Sequence, residues 1–98
     1  MKIEYRTSRL EKTCTKAQVA IRGYGQRMAI KIHQRIKELE SADKVETLLQ
    51  YHIGRCHVLV GDRDGQYAMD LVHPYRLVFT KQGDEIQIAR IEEIVDYH

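Results

Sequence analysis

Five residues in the C-terminal half of the chain have the side-chain types needed for acid–base chemistry on a phosphate ester. They are His57, Arg76, Asp96, Tyr97 and His98. Histidine has an unperturbed pKa of about 6.5, so it can take or give a proton near neutral pH. Arginine offers a fixed fork of donors to a phosphate, and tyrosine can stack on a base. Cleavage of an RNA phosphodiester needs a base for the 2′-OH, an acid for the leaving 5′-oxygen and a cation, so the set fits this reaction.

The alternation of apolar and polar residues predicts how these groups are presented. In "YRLVFT" every second residue is apolar, so Arg76 points away from that apolar face. His57 lies in another alternating segment, "RCHVLV". In the last segment, regular pairing puts Asp96 and His98 on one face and Tyr97 on the other. We expect His57, Arg76, Asp96 and His98 to converge on the open face of a sheet. Taken singly, each has an ordinary explanation, such as a surface ion pair for Arg76 or a frayed terminus for His98.

A metal site is the other chemistry to weigh. His52, Cys56 and His57 give the pattern H-x3-C-H, with Cys14 and His98 as further donors. The chain lacks the paired ligand dipeptides that are typical of zinc sites. The segment "GDRDG" is too short for a calcium loop and predicts a hairpin turn. We therefore expect no metal and no cofactor.

Positive charge is concentrated in the first 40 residues, which hold ten Lys/Arg against four Asp/Glu, whereas residues 41–98 hold six against ten. Within "QRMAIKIHQRIKELES", Arg27, Lys31 and Arg35 recur every four residues and form a row on a helix. Such a row favours a polyanionic partner such as nucleic acid. Long charged side chains on a solvated helix face would give the same pattern.

Apolar spacing predicts helices in the first half of a single α+β domain that covers residues 1–98. After a short first strand, "KIEYR", the segment "SRLEK" predicts the start of a short helix, and Gly23 and Gly25 predict a break in "KAQVAIRGYGQ". Residues 26–41 have the strongest helical period. Asp43 is the predicted N-cap of a further short helix. The apolar face of the long helix consists of Met28, Ile32, Ile36 and Leu39.

The second half predicts four strands, "RCHVLV", "QYAMDLV", "YRLVFT" and "EIQIARIEEIVDY". Their connections are short and contain Gly or Pro, so neighbouring strands should be antiparallel. The alternation slips in "RIEEI", which predicts a β-bulge.

Hydropathy predicts a cytoplasmic protein without membrane association. The longest apolar runs are a few residues, against about 20 for a membrane span. The segment "MKIEYRTSRLEK" has no signal-peptide core. Cys14 and Cys56 are then expected to be free thiols.

The motifs "CHVLVGDRDGQYAMDL", "PYRLVF" and "IVDYH" together resemble the RelE/ParE superfamily of toxins from type II toxin–antitoxin systems. The nearest branch is the HigB-like (plasmid maintenance killer protein) branch. The resemblance covers residues 54–98 well and the first 50 residues in outline. It implies a small twisted antiparallel sheet packed on N-terminal helices, and a ribosome-dependent mRNA endonuclease that cuts in the A site without metal. It also implies a helix-turn-helix antitoxin partner, through which alone operator DNA is contacted.

The resemblance carries roles over by position. His57 matches the strand histidine of the family and Arg76 its phosphate-stabilising arginine. Asp96, Tyr97 and His98 match the terminal catalytic residues. The basic row of the long helix would then dock on ribosomal RNA or on an acidic segment of the antitoxin.

One departure from the family concerns the turn glycine. Val60 stands where the family often has a lysine. Losing one such donor to a transition state costs on the order of 10²- to 10³-fold in rate. Arg55 and Arg63 lie nearby and are candidate RNA-binding substitutes, so we expect a weakened metal-independent endoribonuclease. The alternatives are a ParE-like toxin that acts on DNA gyrase without cutting RNA, and an inert antitoxin-binding module.

Overall fold

The computed structural model describes residues 1–97 and contains a layer of helices against one face of a five-stranded sheet. The helices are α1 (Ser8–Thr15), α2 (Ala17–Tyr24), α3 (Gln26–Ser41) and α4 (Val45–Gln50). The strands are β1 (Lys2–Tyr5), β2 (His57–Val58), β3 (Tyr67–Asp70), β4 (Tyr75–Gln82) and β5 (Ile88–Asp96). Short 3₁₀ turns at Ile53–Arg55 and Gly61–Arg63 flank β2. The α+β fold class predicted from the sequence is confirmed.

Local chemistry sets the helix boundaries in the first third of the chain. The Thr7 hydroxyl accepts a hydrogen bond from the Leu10 N–H (3.1 Å) and caps α1. Gly25 separates α2 from α3 with a φ of +89°, a conformation that favours glycine. The predicted break therefore falls at Gly25, while Gly23 stays inside α2. Within residues 1–97 no helix has both the length and the apolar character needed to cross a membrane.

The long helix α3 supplies most of the helical side of the core. Its predicted apolar face is confirmed, because Met28, Ile32, Ile36 and Leu39 are all buried. They form one cluster with the inward side chains of the sheet, which include Leu77, Phe79 and Ile91. Burial of each such side chain contributes roughly 1.5–3 kcal/mol, so this face fixes the helix layer on the sheet.

The start of α4 is capped from a distance. The predicted cap residue, Asp43, is wrong: α4 begins after Lys44, which has no capping side-chain hydrogen bond. The first N–H of the helix, that of Val45, instead donates to Oε1 of the buried Gln87 (2.9 Å). The same Gln87 amide donates to Glu46 (2.9 Å). The capping hydrogen bond therefore comes from a side chain 42 residues away in sequence, and not from Asp43, which the local pattern predicted.

The sheet has the strand order β1-β5-β4-β3-β2. Strands β2 to β5 form the predicted antiparallel meander, and β1 adds in parallel to β5. The first predicted strand of the meander is shorter than its pattern, since only His57 and Val58 pair with β3 in register. One further hydrogen bond, from the Leu59 N–H to the Gln66 carbonyl (2.9 Å), closes the turn region.

Candidate active site

The face of the sheet opposite the helices carries the predicted catalytic groups. Since Leu77 and Phe79 belong to the core, Arg76 points to this open face. Cross-strand partners share a face, and the register places Asp70 of β3 directly opposite Arg76. His57 of β2 lies opposite Ala68 of β3, one step along the same face. Two strands and the edge strand thus bring His57, Asp70 and Arg76 together.

Small apolar residues form the floor beneath these groups. Ala68 and Val78 face each other across β3 and β4 and are fully buried, although they lie outside the main core cluster. Their burial shows that this part of the open face is shielded from solvent. The polar groups therefore lie next to an apolar surface from which solvent is excluded, and electrostatic interactions there are stronger than in bulk water.

A β-bulge decides which C-terminal residue reaches this face. The register between β4 and β5 shifts by one residue at Glu92, inside "RIEEI", which confirms the predicted bulge. The extra residue reverses the alternation beyond it. Asp96 consequently pairs with Tyr75, which packs against the core, so the predicted placement of Asp96 beside Arg76 is wrong. Tyr97 takes that place. The catalytic role assigned to Asp96 stays a prediction, and His98 lies outside the described residues.

The Arg76 guanidinium has a defined neighbour on each of three sides. Its Nη1 lies 3.5 Å from Nε2 of His57. Its Nε lies 3.7 Å from Oδ1 of Asp70. Its central carbon sits 4.7 Å from the centre of the Tyr97 ring, a cation–π contact. The Arg76 side chain is 32% exposed, so part of the guanidinium is accessible to an anion.

The ring orientation of His57 fixes which nitrogen can take a proton. Nδ1 lies 2.8 Å from the carbonyl oxygen of Arg55. A carbonyl can only accept, so Nδ1 carries the hydrogen and donates it. In the neutral ring Nε2 then holds the lone pair, and it is this atom that faces Arg76. The arrangement places a proton acceptor beside an anion-binding cation.

Asp70 is a site residue that sequence reasoning missed. Besides Arg76, its carboxylate contacts Arg55, with Oδ2 3.3 Å from the Arg55 Nε. It ends the segment "QYAMD", and its position opposite Arg76 across the "LVHP" turn was the available signal. Together, Arg55, Arg76 and Asp70 carry one net positive charge. A cavity of about 210 Å³ adjoins them and is lined in part by His73, Pro74 and Tyr97.

The predicted RNA-binding arginines differ in their surroundings. Arg55 is largely exposed at the mouth of the site and pairs with Asp70. Arg63 forms an ion pair with Glu93 and donates to the Gln66 amide oxygen (3.1 Å), and its hydrogen bond to Glu93 raises the pKa of the guanidinium. The guanidinium of Arg63 is therefore already engaged by Glu93 and Gln66. Val60 is 81% exposed and offers no cation.

The predicted basic row on α3 is incomplete. Arg27 is exposed and has no ion-pair partner in the part of the chain that the structure describes. Lys31 hydrogen-bonds to Gln34 (3.2 Å). Arg35, however, is 8% exposed, and the expectation that it shares an exposed row is wrong. It turns inward because its Nε donates to the Asp70 carbonyl (2.6 Å).

The two cysteines weighed as metal ligands are buried in the core. Cys14 and Cys56 are free thiols as predicted, and burial raises the pKa of each to about 12. Over residues 1–97 no three His, Cys, Asp or Glu side chains come together in a way that could hold a metal ion.

Comparison with known proteins gives similarity at the level of structure. No protein-family model matches the sequence, and no curated protein matches it. Two solved structures superpose over the whole chain. One is a YoeB/ParE toxin from Agrobacterium tumefaciens, with a TM-score of 0.68, 17% identity and 100% of both chains covered. The other is a YoeB–YefM complex from Staphylococcus aureus, with a TM-score of 0.62, 22% identity, and 100% of this chain and 97% of the other covered. The chain therefore has the fold of the YoeB/ParE toxins.

Proposed function

We propose that the chain is the toxin of a type II toxin–antitoxin system, of the RelE/ParE superfamily. The full-length likeness to toxin structures supports this proposal, and the motifs of residues 54–98 favour the HigB-like branch within the superfamily. One of the similar structures is a toxin–antitoxin complex, which supports a cognate antitoxin as partner. We propose a helix-turn-helix antitoxin, with operator DNA contacted only through it, and a cytoplasmic site of action.

The activity we propose is metal-independent cleavage of mRNA in the ribosomal A site. The observation that carries it is the juxtaposition of His57, Arg76 and Tyr97 on one exposed face. Phosphate binding would draw Nη1 of Arg76 away from Nε2 of His57, and Nε2 would then take the proton of the ribose 2′-OH, whose oxygen attacks the adjacent phosphorus. The free Nη edge of Arg76 would bind the phosphate and stabilise its added charge. Tyr97 would orient the guanidinium and the RNA.

The leaving group needs its own acid. The bond from phosphorus to the 5′-oxygen breaks as the 2′,3′-cyclic phosphate forms, and the 5′-oxygen must receive a proton. We propose His98 for this step, because the resemblance matches it to a terminal catalytic residue; the resemblance itself does not order the proton-transfer roles of His57, Asp96 and His98. We propose that Arg27 and Lys31, the outward members of the α3 row, contact ribosomal RNA.

The surroundings of Val60 set the expected strength of the activity. No lysine stands there, and Arg63 is held by Glu93 rather than free to replace one. Arg55 forms an ion pair with Asp70, which partly neutralises its charge. We therefore propose a slow nuclease. This same observation keeps a second candidate open, a toxin that acts on DNA gyrase without RNA cleavage.

The test is cleavage of an mRNA on programmed 70S ribosomes, mapped by primer extension, with purified antitoxin-free protein; the metal control is protein treated with EDTA and freed of the chelator before it is added to the ribosomes. Arg76→Ala and His57→Ala should each lower the rate by at least about 10²-fold. Arg90→Ala is the matched control, since Arg90 is another arginine of the sheet, paired with Glu92. Intact mRNA with folded wild-type protein would refute the nuclease proposal, and a gyrase supercoiling assay on the same protein would then test the second candidate.

A further inference from the structure

Asp70 occupies an unusual position for a carboxylate in a site that is to bind a phosphate. Its Oδ1 is shielded from solvent and has no hydrogen-bond partner among the described residues, although Arg76 Nε lies 3.7 Å away. Its Oδ2 faces Arg55. A buried carboxylate oxygen without a hydrogen bond is costly, so it needs a compensating role.

The backbone beneath Asp70 is held from inside the protein. The Arg35 Nε donates to the Asp70 carbonyl (2.6 Å), and the Arg35 Nη1 donates to Glu38 (2.8 Å). Gly54 makes room for this arginine, since a Cβ there would lie 2.8 Å from the Arg35 Nε. The end of β3 is thus fixed by a buried charged side chain, and the Asp70 carboxylate has little freedom to move away from Arg76.

We propose that Asp70 is a positioning residue for Arg76. It holds the guanidinium by its Nε side and so directs the Nη edge toward the phosphate, while Tyr97 supports the flat face. The inference rests on the proposed nuclease function for its kinetic consequences. Two donors in a fixed fork match a phosphate only at the right angle, and a misplacement of about 1 Å can cost about 10²-fold in rate.

The opposite role predicts the opposite result. A carboxylate that merely competed with phosphate for Arg55 and Arg76 would inhibit, and its removal would raise the rate. Positioning instead predicts that Asp70→Asn lowers kcat while KM stays constant or falls, because the variant has one more net positive charge for RNA. A general loss of folded protein would lower kcat without lowering KM and would not be recovered by a conservative change.

The experiment measures kcat and KM for mRNA cleavage on programmed ribosomes with wild type, Asp70→Asn and Asp70→Glu. We expect a loss in kcat of about 10- to 100-fold for Asp70→Asn and partial recovery for Asp70→Glu, which restores the charge. Glu46→Gln is the control, since it removes an ion pair with Lys81 at the other end of β4. An unchanged or higher kcat for Asp70→Asn, or a loss confined to KM, would overturn the proposal.

A second readout does not require cleavage, so it separates failure of this inference from failure of the proposed function. Inorganic phosphate is titrated into each protein, and the side-chain NMR signals of Arg76 are followed. In wild type the Nη signals should respond and the Nε–H signal should stay in place, whereas in Asp70→Asn the Nε–H signal should shift as well. Identical responses in the two proteins, or none at Arg76 in wild type, would overturn the proposal even if no RNA is cut.

Discussion

Replacement of Arg35 by methionine distinguishes a structural arginine from a surface arginine on the same helix. Methionine keeps the unbranched apolar stem and removes the guanidinium, so packing is largely retained. The change deletes the hydrogen bond to the Asp70 carbonyl (2.6 Å) and the ion pair with Glu38 (2.8 Å). Arg27→Met is the matched control, because Arg27 lies eight positions earlier on α3 and is exposed.

The magnitude follows from the two lost interactions. A hydrogen bond from a charged group contributes about 1.5–3 kcal/mol net, and the Glu38 pair is partly exposed and adds less. We expect the free energy of unfolding of Arg35→Met to fall by about 2–4 kcal/mol, and the midpoint of thermal unfolding to fall by about 10 °C or more. For Arg27→Met the change should stay within about 0.5 kcal/mol.

The assay is urea unfolding followed by circular dichroism, with equal m-values required for the comparison. A difference below about 0.5 kcal/mol between the two variants would refute the structural reading of Arg35.

Three further predictions concern packing and titration away from Arg76. Hydrogen bonds from Lys81 and Gln87 lower the pKa of Glu46 to about 2, so its contribution to stability is present above pH 4.5 and is lost as the pH falls from about 4.5 toward 2. Because the Glu46 side chain is more than half exposed, we expect acidification to lower the free energy of unfolding through this group by only about 0.5–1 kcal/mol. Urea unfolding at several acidic pH values should show this loss in the wild type and not in Glu46→Gln. Burial raises the pKa of Cys14 and Cys56 to about 12, so both thiols should resist an aromatic disulfide reagent at pH 8 until urea unfolds the chain; rapid reaction of the folded protein would contradict their burial. Gly54→Ala combines a φ of +59° with a Cβ 2.9 Å from Met69 Cε, so we expect a loss of about 2 kcal/mol or more in unfolding free energy, and wild-type stability would contradict the close packing.

Periodicity in the sequence was enough to predict the architecture. A spacing of three and four residues identified the buried face of α3, and a spacing of two identified the strands of the meander, because each period is a direct consequence of backbone geometry. The break at Gly25 and the bulge in "RIEEI" were also readable, since both are local departures from those periods. His57 and Arg76 were assigned correctly to one face for the same reason.

The composition of the site was decided only by the tertiary structure. The one-residue shift at Glu92 exchanged Asp96 for Tyr97 on the open face, an effect that depends on where the pairing slips and not on the residues themselves. Arg35 and Asp70 became partners across 35 positions of the chain, and Gln87 capped a helix 42 positions away. Sequence periodicity determines which side of an element is apolar, whereas the partner of a buried polar group is set by whichever donor or acceptor the folded chain brings within hydrogen-bonding distance.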